Sequence, residues 1–200
     1  MKHDIREGLV TLGGDEPVWE RVFTVNPLVL VGTKEEGGYD LAPKHMVSPM
    51  GWQNYFGFVC TPSHHTYHNV RREGAFTVTY LRPTQVLLAS LAAAPREETG
   101  KPLLEALTTF PAREVDGIFL QDGYLFLECV LDRIVDDFGE NSLIAGRIIE
   151  SHVHHAYLRT SERDDNDLVH ESRLLAYLSP GRYAEIGDSN SFPYPSGFMR

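Results

Sequence analysis

Residues Pro27 to Asn69 read PLVLVGTKEEGGYDLAPKHMVSPMGWQNYFGFVCTPSHHTYHN. The stretch opens on a continuous apolar run, Pro27 to Thr33, which predicts a strand closed by the turn-rich KEEGGYD. The following DLAPKHMVSPMGW contains Ala42-Pro43, and proline fixes φ, removes a donor and restricts the residue before it. An ordered loop rather than a strand is expected there. A second strand, NYFGFVCT from Asn54 to Thr61, then runs into TPSHHTYHNVRREG. That segment predicts a short helix with Ser63 and Thr66 as capping candidates and Gly74 as its terminator.

The rest of the chain continues this pattern. AFTVTYL (Ala75 to Leu81), GIFL, YLFLECVLDRIVDDF, SLIAGRIIESHVH and LLAYLSPGRYAEI are rich in β-branched and aromatic residues. GIFL-QDG-YLFLECVL has a short glycine-containing connection and predicts a β-hairpin. Helical signals are fewer. PTQVLLASLAAAP (Pro83 to Pro95) has proline at its start and an Ala/Leu body, and KPLLEALTTF predicts a second short helix. SERDDNDL reads as a solvated loop or helix start, and GDSNSFPYPSGFMR as an extended tail. Many strands with few helices predict a mainly β barrel or sandwich, and no linker divides the 200 residues into more than one domain.

Composition narrows the function. Hydrophobic residues make up 42% and charged residues 23%, as in an ordinary globular protein. A net charge of −10 argues against a general nucleic-acid or anionic-membrane binder, because phosphate attraction needs surplus Lys and Arg. Any phosphate site must be built locally. Cys60 and Cys129 lie in apolar runs and are expected to be buried thiols in a reducing compartment. The charged start MKHDIREGLV has no signal-peptide core, and no apolar stretch reaches the roughly 18 residues that span a bilayer. A cytoplasmic protein is expected.

Two neighbouring stretches carry candidate chemistry. The ordered segment Asp40 to Met46 offers backbone groups suited to the edge of a planar heterocycle. Thr61, Ser63, His64, His65 and Thr66 gather hydroxyl and imidazole donors where a helix begins, a plausible phosphate cradle. An ordinary connection and simple helix capping are the plainer readings, and only the co-location of five donors raises the functional one. His64 with His68, and His152 with His154, have metal-ligand spacing, but no carboxylate or cysteine pair completes a ligand set. GxSxG, P-loop and GxGxxG motifs are absent, which leaves acyl transfer and Rossmann-type dinucleotide binding without support.

Taken in order, these features resemble the flavin reductase-like family, whose fold is a Greek-key, FMN-binding split β-barrel. The resemblance runs from about Pro27 to about Pro195 and implies a single flavin-binding domain with a core of about residues 20–190. The family's Asn-x-Ala-Pro-x-Ser loop is matched by Asp40-Leu41-Ala42-Pro43-Lys44-His45. Its phosphate-contacting stretch, a basic residue, Asp-Thr, two positions and Asn, is matched by His64-His65-Thr66-Tyr67-His68-Asn69, followed by Gly74-Ala75-Phe76. Glu128-Cys129 resembles the acid-Cys pair, Gly139 and Gly146 the glycines of a Gly-Asp-His motif, and Gly181-Arg182-Tyr183 the closing Gly-Arg-Tyr. Departures are Asp40 for Asn, His45 for Ser, the two histidines of the phosphate stretch, and Asn141 for the histidine of Gly-Asp-His.

The resemblance implies FMN as cofactor, contacted by Asp40 through Met46, by Thr61, Ser63, His64, His65, Thr66 and Asn69, and by Tyr183 near a homodimer interface. It implies an oxidoreductase with NAD(P)H as co-substrate, and an oxygenase as possible partner for the reduced flavin. The flavin carries the hydride chemistry, so no catalytic acid–base pair is demanded. Asn141 keeps open an FMN-binding electron carrier without NAD(P)H activity, and the histidines a metal-binding β-barrel.

Overall fold

The computed structural model describes residues 8–96 and 101–197. The charged start through residue 7 and the last three residues of the tail lie outside them. Among the described residues the elements run α1 (Val18–Arg21), β1 (Thr24–Pro27), β2 (Val29–Glu35), β3 (Gly38–Lys44), β4 (Val47–Pro49), β5 (Tyr55–Cys60), α2 (His65–Glu73), β6 (Ala75–Tyr80), α3 (Val86–Ala92), β7 (Thr109–Pro111), β8 (Ile118–Leu120), β9 (Leu125–Phe138), β10 (Asn141–Val153), α4 (Asp165–Glu171), β11 (Leu174–Ser179) and β12 (Arg182–Ile186).

Seven strands form one antiparallel sheet in the order β3-β2-β6-β9-β10-β5-β4. Its two end strands, β3 and β4, are separated in the chain only by His45 and Met46, so the sheet must curl until its ends meet. β5 lies beside β10, with β9 and β6 beyond it, which is the four-strand Greek-key order read backwards along the chain. This is the split β-barrel that the family resemblance implies. A three-stranded sheet, β1-β11-β12, shares the extended run Thr24 to Glu35 with it, since β1 and β2 are broken only at Leu28.

Strand alternation fills the barrel. Val29, Val31, Phe56, Phe58, Phe76, Val78, Cys129 and Ile144 point inward into one cluster. The Phe56, Phe58 and Phe76 rings meet at 5.3–6.5 Å, in the range of favourable aromatic pairs. Gly146 is required beside them, because a Cβ there would stand 2.5 Å from the Phe76 ring. On the other face, Leu30 of β2 and Leu28 just before it meet Leu41, Ala89, Ala92 and Leu175 under α3. Both cysteines are free and buried.

Two local expectations are corrected. The Asp40 segment is not a loop: β3 pairs with β2 in unbroken register from Gly38 opposite Glu35 to Lys44 opposite Val29. Pro43 is tolerated because β3 is an edge of the sheet, where a missing N–H can face away from the partner. GIFL and YLFLECVL are not a hairpin either. β8 pairs with β7, whereas β9 pairs with β6 and β10. Buried hydroxyls hold the β7–β8 ribbon on the outside of the barrel: Thr77 Oγ1 donates to the Ile118 carbonyl at 2.5 Å and Thr79 Oγ1 accepts from Leu120 N–H at 3.2 Å. Directly opposite Thr77, the fully buried Glu128 carboxylate accepts the backbone N–H groups of Arg113, Glu114 and Val115 at 2.7–3.1 Å. The acid of the Glu-Cys pair is therefore spent on folding a loop.

The predicted helix from Pro83 divides into a 3-10 turn at Pro83–Gln85 and α3, and the one in KPLLEALTTF is a 3-10 turn at Pro102–Ala106. No described helix is long and apolar enough to cross a membrane.

Gly32 lies on the same outer face, and a Cβ there would meet Thr77 Oγ1 at 2.3 Å and the Ile118 carbonyl at 2.6 Å. Gly32→Ala is expected to lower unfolding stability by about 1–3 kcal/mol, read as a lower urea midpoint at unchanged slope.

Candidate functional site

Because side chains alternate along β3, this one edge strand has two different faces. Asp40, Ala42 and Lys44 sit opposite Thr33, Val31 and Val29 and share their face, where α2 packs on β2. Leu41 and Pro43 point the other way, toward α3. A cavity lies on each side of the strand, and Pro43 and Ala93 border both.

The first cavity, about 420 Å³, is bounded by Asp40, Ala42 and Lys44 on one side and by Ser63, His64, His65 and Thr66 on the other. With Pro43, eight residues singled out in the sequence thus meet around one basin. α2 begins at His65, with His64 at the N-cap position, and no side chain caps it. Neither Ser63 nor Thr66 serves as the cap expected of it. The helix therefore presents backbone N–H groups and the positive end of its dipole to the basin.

Arg96 and Lys101 complete the wall. Asp40 is 2% exposed, and a buried carboxylate demands counter-charge. Lys101 Nζ lies 2.9 Å from Asp40 Oδ1 and Arg96 Nη2 3.5 Å from Oδ2. The Lys101 contact is an ion pair without hydrogen-bond alignment, its protons going to the Leu41 and Ala92 carbonyls at 3.2 and 3.0 Å. Arg96 also grips Glu35 with two hydrogen bonds, at 2.6 and 3.0 Å. Lys44, Arg96 and Lys101 outnumber Glu35 and Asp40, so the basin is locally positive in a chain of net charge −10. His64 registers that field: burial, then Lys44, His65 and Lys101, hold its imidazole below the usual value.

Other candidates are placed differently. Asn69 is buried and donates to Thr33 Oγ1 at 3.0 Å and to Glu35 at 3.2 Å, so it acts on the basin through Glu35 and Arg96. Thr61 Oγ1 donates to Asn141 Oδ1 at 3.1 Å. Leu41 is buried in the core under α3, and Met46 is exposed, its carbonyl accepting from Val59 N–H at 2.9 Å. His45 and Tyr183 line the second cavity, about 380 Å³ and largely apolar, with Leu28, Ala89 and Tyr177. Lys44 Nζ stands 3.6 Å from Cys60 Sγ, whose pKa is raised, burial pushing it up and Lys44 opposing.

The histidines scatter. His68 packs on Tyr67, His152 Nε2 stands 3.7 Å from Glu128, and His154 stacks on His155. Among the described residues no group of three or more His, Cys, Asp or Glu could hold a metal ion. A larger hollow of about 1050 Å³ near Arg159 and Phe192 has both of its arginines already engaged, Arg159 by Asp165 and Arg163 by Glu171.

A family model described as flavin reductase like domain matches residues 22–179. The chain belongs to that family. As a flavin reductase-like protein it is a flavin-related oxidoreductase whose cofactor is a flavin. Its fold is similar to flavoredoxin from Methanosarcina acetivorans, with a TM-score of 0.74, 18% identity, and coverage of 94% of this chain and 96% of that one. It is also similar to nitrilotriacetate monooxygenase component B from Bacillus cereus, with a TM-score of 0.78, 16% identity, and coverage of 92% and 98%. An FMN-binding protein from Thermus thermophilus matches with a TM-score of 0.74, 16% identity, and the same coverage of 92% and 98%. At such identities the likeness is one of fold. No curated protein matches the sequence significantly.

Arg96 and Lys101 escaped the sequence reading, although Asp40 at a site position was itself the signal that cations must come from elsewhere. Lys101→Met is expected to cost this flavin reductase-like chain about 3 kcal/mol, because it leaves the buried Asp40 carboxylate with only the longer Arg96 contact, and adding Asp40→Asn should restore most of it. Chemical denaturation of the two variants checks this; equal losses would show that the pair does not interact.

Glu35 gives a pH test. Burial pushes its carboxyl up, but hydrogen bonds from Arg96 and Asn69 outweigh that and hold it below the usual range. Its contribution to stability is present above the unfolded value of about 4.3 and is lost as pH falls through the lower folded one. Glu35→Gln should therefore flatten the acid limb of a pH–stability profile.

Proposed function

We propose that this chain binds FMN and passes hydride or electrons through it as an NAD(P)H-dependent enzyme of the flavin reductase type. One observation carries the reading: an uncapped helix N-terminus and three cations surround a basin that opens beside the unpaired edge of β3. A phosphate dianion fits that donor set, since backbone N–H groups supply direction and Lys44, Arg96 and Lys101 supply charge.

Ser63, His64, His65 and Thr66 would hold the phosphate together with those cations. Thr61, through Asn141, and Asn69, through Glu35, would position the wall around it. As an edge strand β3 leaves alternate N–H and C=O groups without a strand partner, and these would read the rim of the isoalloxazine along Asp40 to Met46. His45 and Tyr183 stand on the far side. The bound flavin would supply two-electron chemistry, and the protein contributes orientation and a fixed electrostatic field.

A homodimer covering the exposed Trp19, Phe23 and Val25 would bring the Tyr183 hairpin near a partner's site. The likeness to a protein named as a monooxygenase component supports an oxygenase as recipient of reduced flavin. A second reading is supported by Asn141, whose side chain is engaged by Thr61 where the family has histidine. In that reading the protein carries electrons and does not use nicotinamide.

Mixing FMN-loaded protein with NADH or NADPH distinguishes the two. Steady loss of nicotinamide absorbance with at least one nucleotide is expected. Flavin that dithionite bleaches and neither nucleotide reduces would reject the enzyme reading in favour of the carrier.

A further inference from the structure

The second cavity has features that the flavin phosphate and the strand edge do not use. Its walls are apolar, from Leu28, Pro43, Val86, Ala89 and Ala93, and it lies on the α3 side of β3, across the strand from the basin. Two nitrogen-bearing side chains interrupt the walls. His45 stacks on Tyr177 with ring centroids 4.5 Å apart and planes at 27°, and its Nδ1 is buried without a hydrogen-bond partner. At the mouth, Arg182 is exposed, and among the described residues no carboxylate lies within ion-pair distance of it. Among the same residues Arg71, Arg82, Arg113 and Arg147 likewise stand without a carboxylate partner, but of these five arginines Arg182 is the one that lines this cavity.

We infer that this cavity is a binding site for a planar aromatic carboxylate, its ring between the apolar walls and its carboxylate on the Arg182 guanidinium. Each part follows from complementarity. The volume, about 380 Å³, suits a small molecule. A guanidinium at the rim matches a carboxylate with two parallel hydrogen bonds, which a neutral group cannot copy. Burial, then the neighbouring Lys44, holds His45 below its usual range, so at neutral pH its ring offers one donor and one acceptor. The buried Nδ1 can then meet a polar substituent on the aromatic ring, which removes the cost of an orphaned buried nitrogen. As a substrate seat beside the flavin the site rests on the function proposed above; as a binding site it stands on the cavity alone.

Benzoate and its neutral isostere benzamide are suitable probes, titrated calorimetrically into FMN-loaded protein. Benzoate is expected to bind at least about tenfold more tightly than benzamide, with FMN retained. Arg182→Gln should erase that preference. Ser90→Phe, an exposed position on the cavity lining, should abolish binding of both probes. FMN affinity should stay within about twofold in both variants. Displacement of FMN by benzoate would overturn the inference by showing that the flavin ring occupies the cavity. Equal binding of the two probes, or no benzoate binding at millimolar concentration, would overturn it as well. Failure of FMN itself to bind would count against the flavin reading alone, because benzoate binding is still readable on the apoprotein.

Discussion

A buried carboxylate organises this end of the molecule. Asp40 sits in the wall of the barrel at 2% exposure, where an unpaired charge would cost several kcal/mol. Its counter-ions, Arg96 and Lys101, follow α3 in the chain, and the ion pairs hold both cations beside the barrel wall. Once there, the same cations face the uncapped start of α2. Glu35 and Asn69 extend the network, tying β2 and α2 to the guanidinium. What neutralises one buried acid thus creates a locally positive hollow in an acidic chain.

The second constraint is topological. β3 and β4 are two halves of one run that ends the sheet on both sides, so curling is obligatory and β3 remains an edge. An edge strand has free backbone groups along one side and side chains alternating between two faces. Residues 40, 42 and 44 consequently belong to the cationic basin and residues 41, 43 and 45 to the apolar side under α3. One short segment serves three surfaces, which explains why its sequence looks irregular for a strand.

How much of this was legible depends on what kind of force fixes each part. The strands were readable because the β-branched and aromatic content of runs such as Asn54 to Thr61 and Ala75 to Leu81 is set by burial, which sequence records directly. The choice of a split barrel over a sandwich came from the family resemblance. The Ala42-Pro43 pair misled because proline reports only a missing N–H, and whether that matters depends on which edge the strand occupies. The Gly117 to Leu131 stretch misled because turn chemistry is local, while the Thr77 and Thr79 hydroxyls that capture β8 lie far away in sequence. At the site, the helix start and its donors were readable as a cluster. Arg96 and Lys101 were not, since nothing in their own neighbourhood reveals that the charge they answer is at residue 40. Asn69 was singled out from its place in the helix, but its bonds to Thr33 and Glu35 join residues 34 to 36 positions away and could not be read from sequence.

The claim on which the functional reading turns is that the basin recognises a phosphate. The affinity ratio of FMN to riboflavin, taken from flavin fluorescence quenching on the native chain and on an Arg96→Ala, Lys101→Ala double variant, measures that recognition directly. A native preference for FMN of tenfold or more, equivalent to about 1.4 kcal/mol, that weakens with salt and collapses toward unity in the double variant is the predicted result. Equal affinity of the native protein for the two flavins, or a preference that survives loss of both cations, would contradict it.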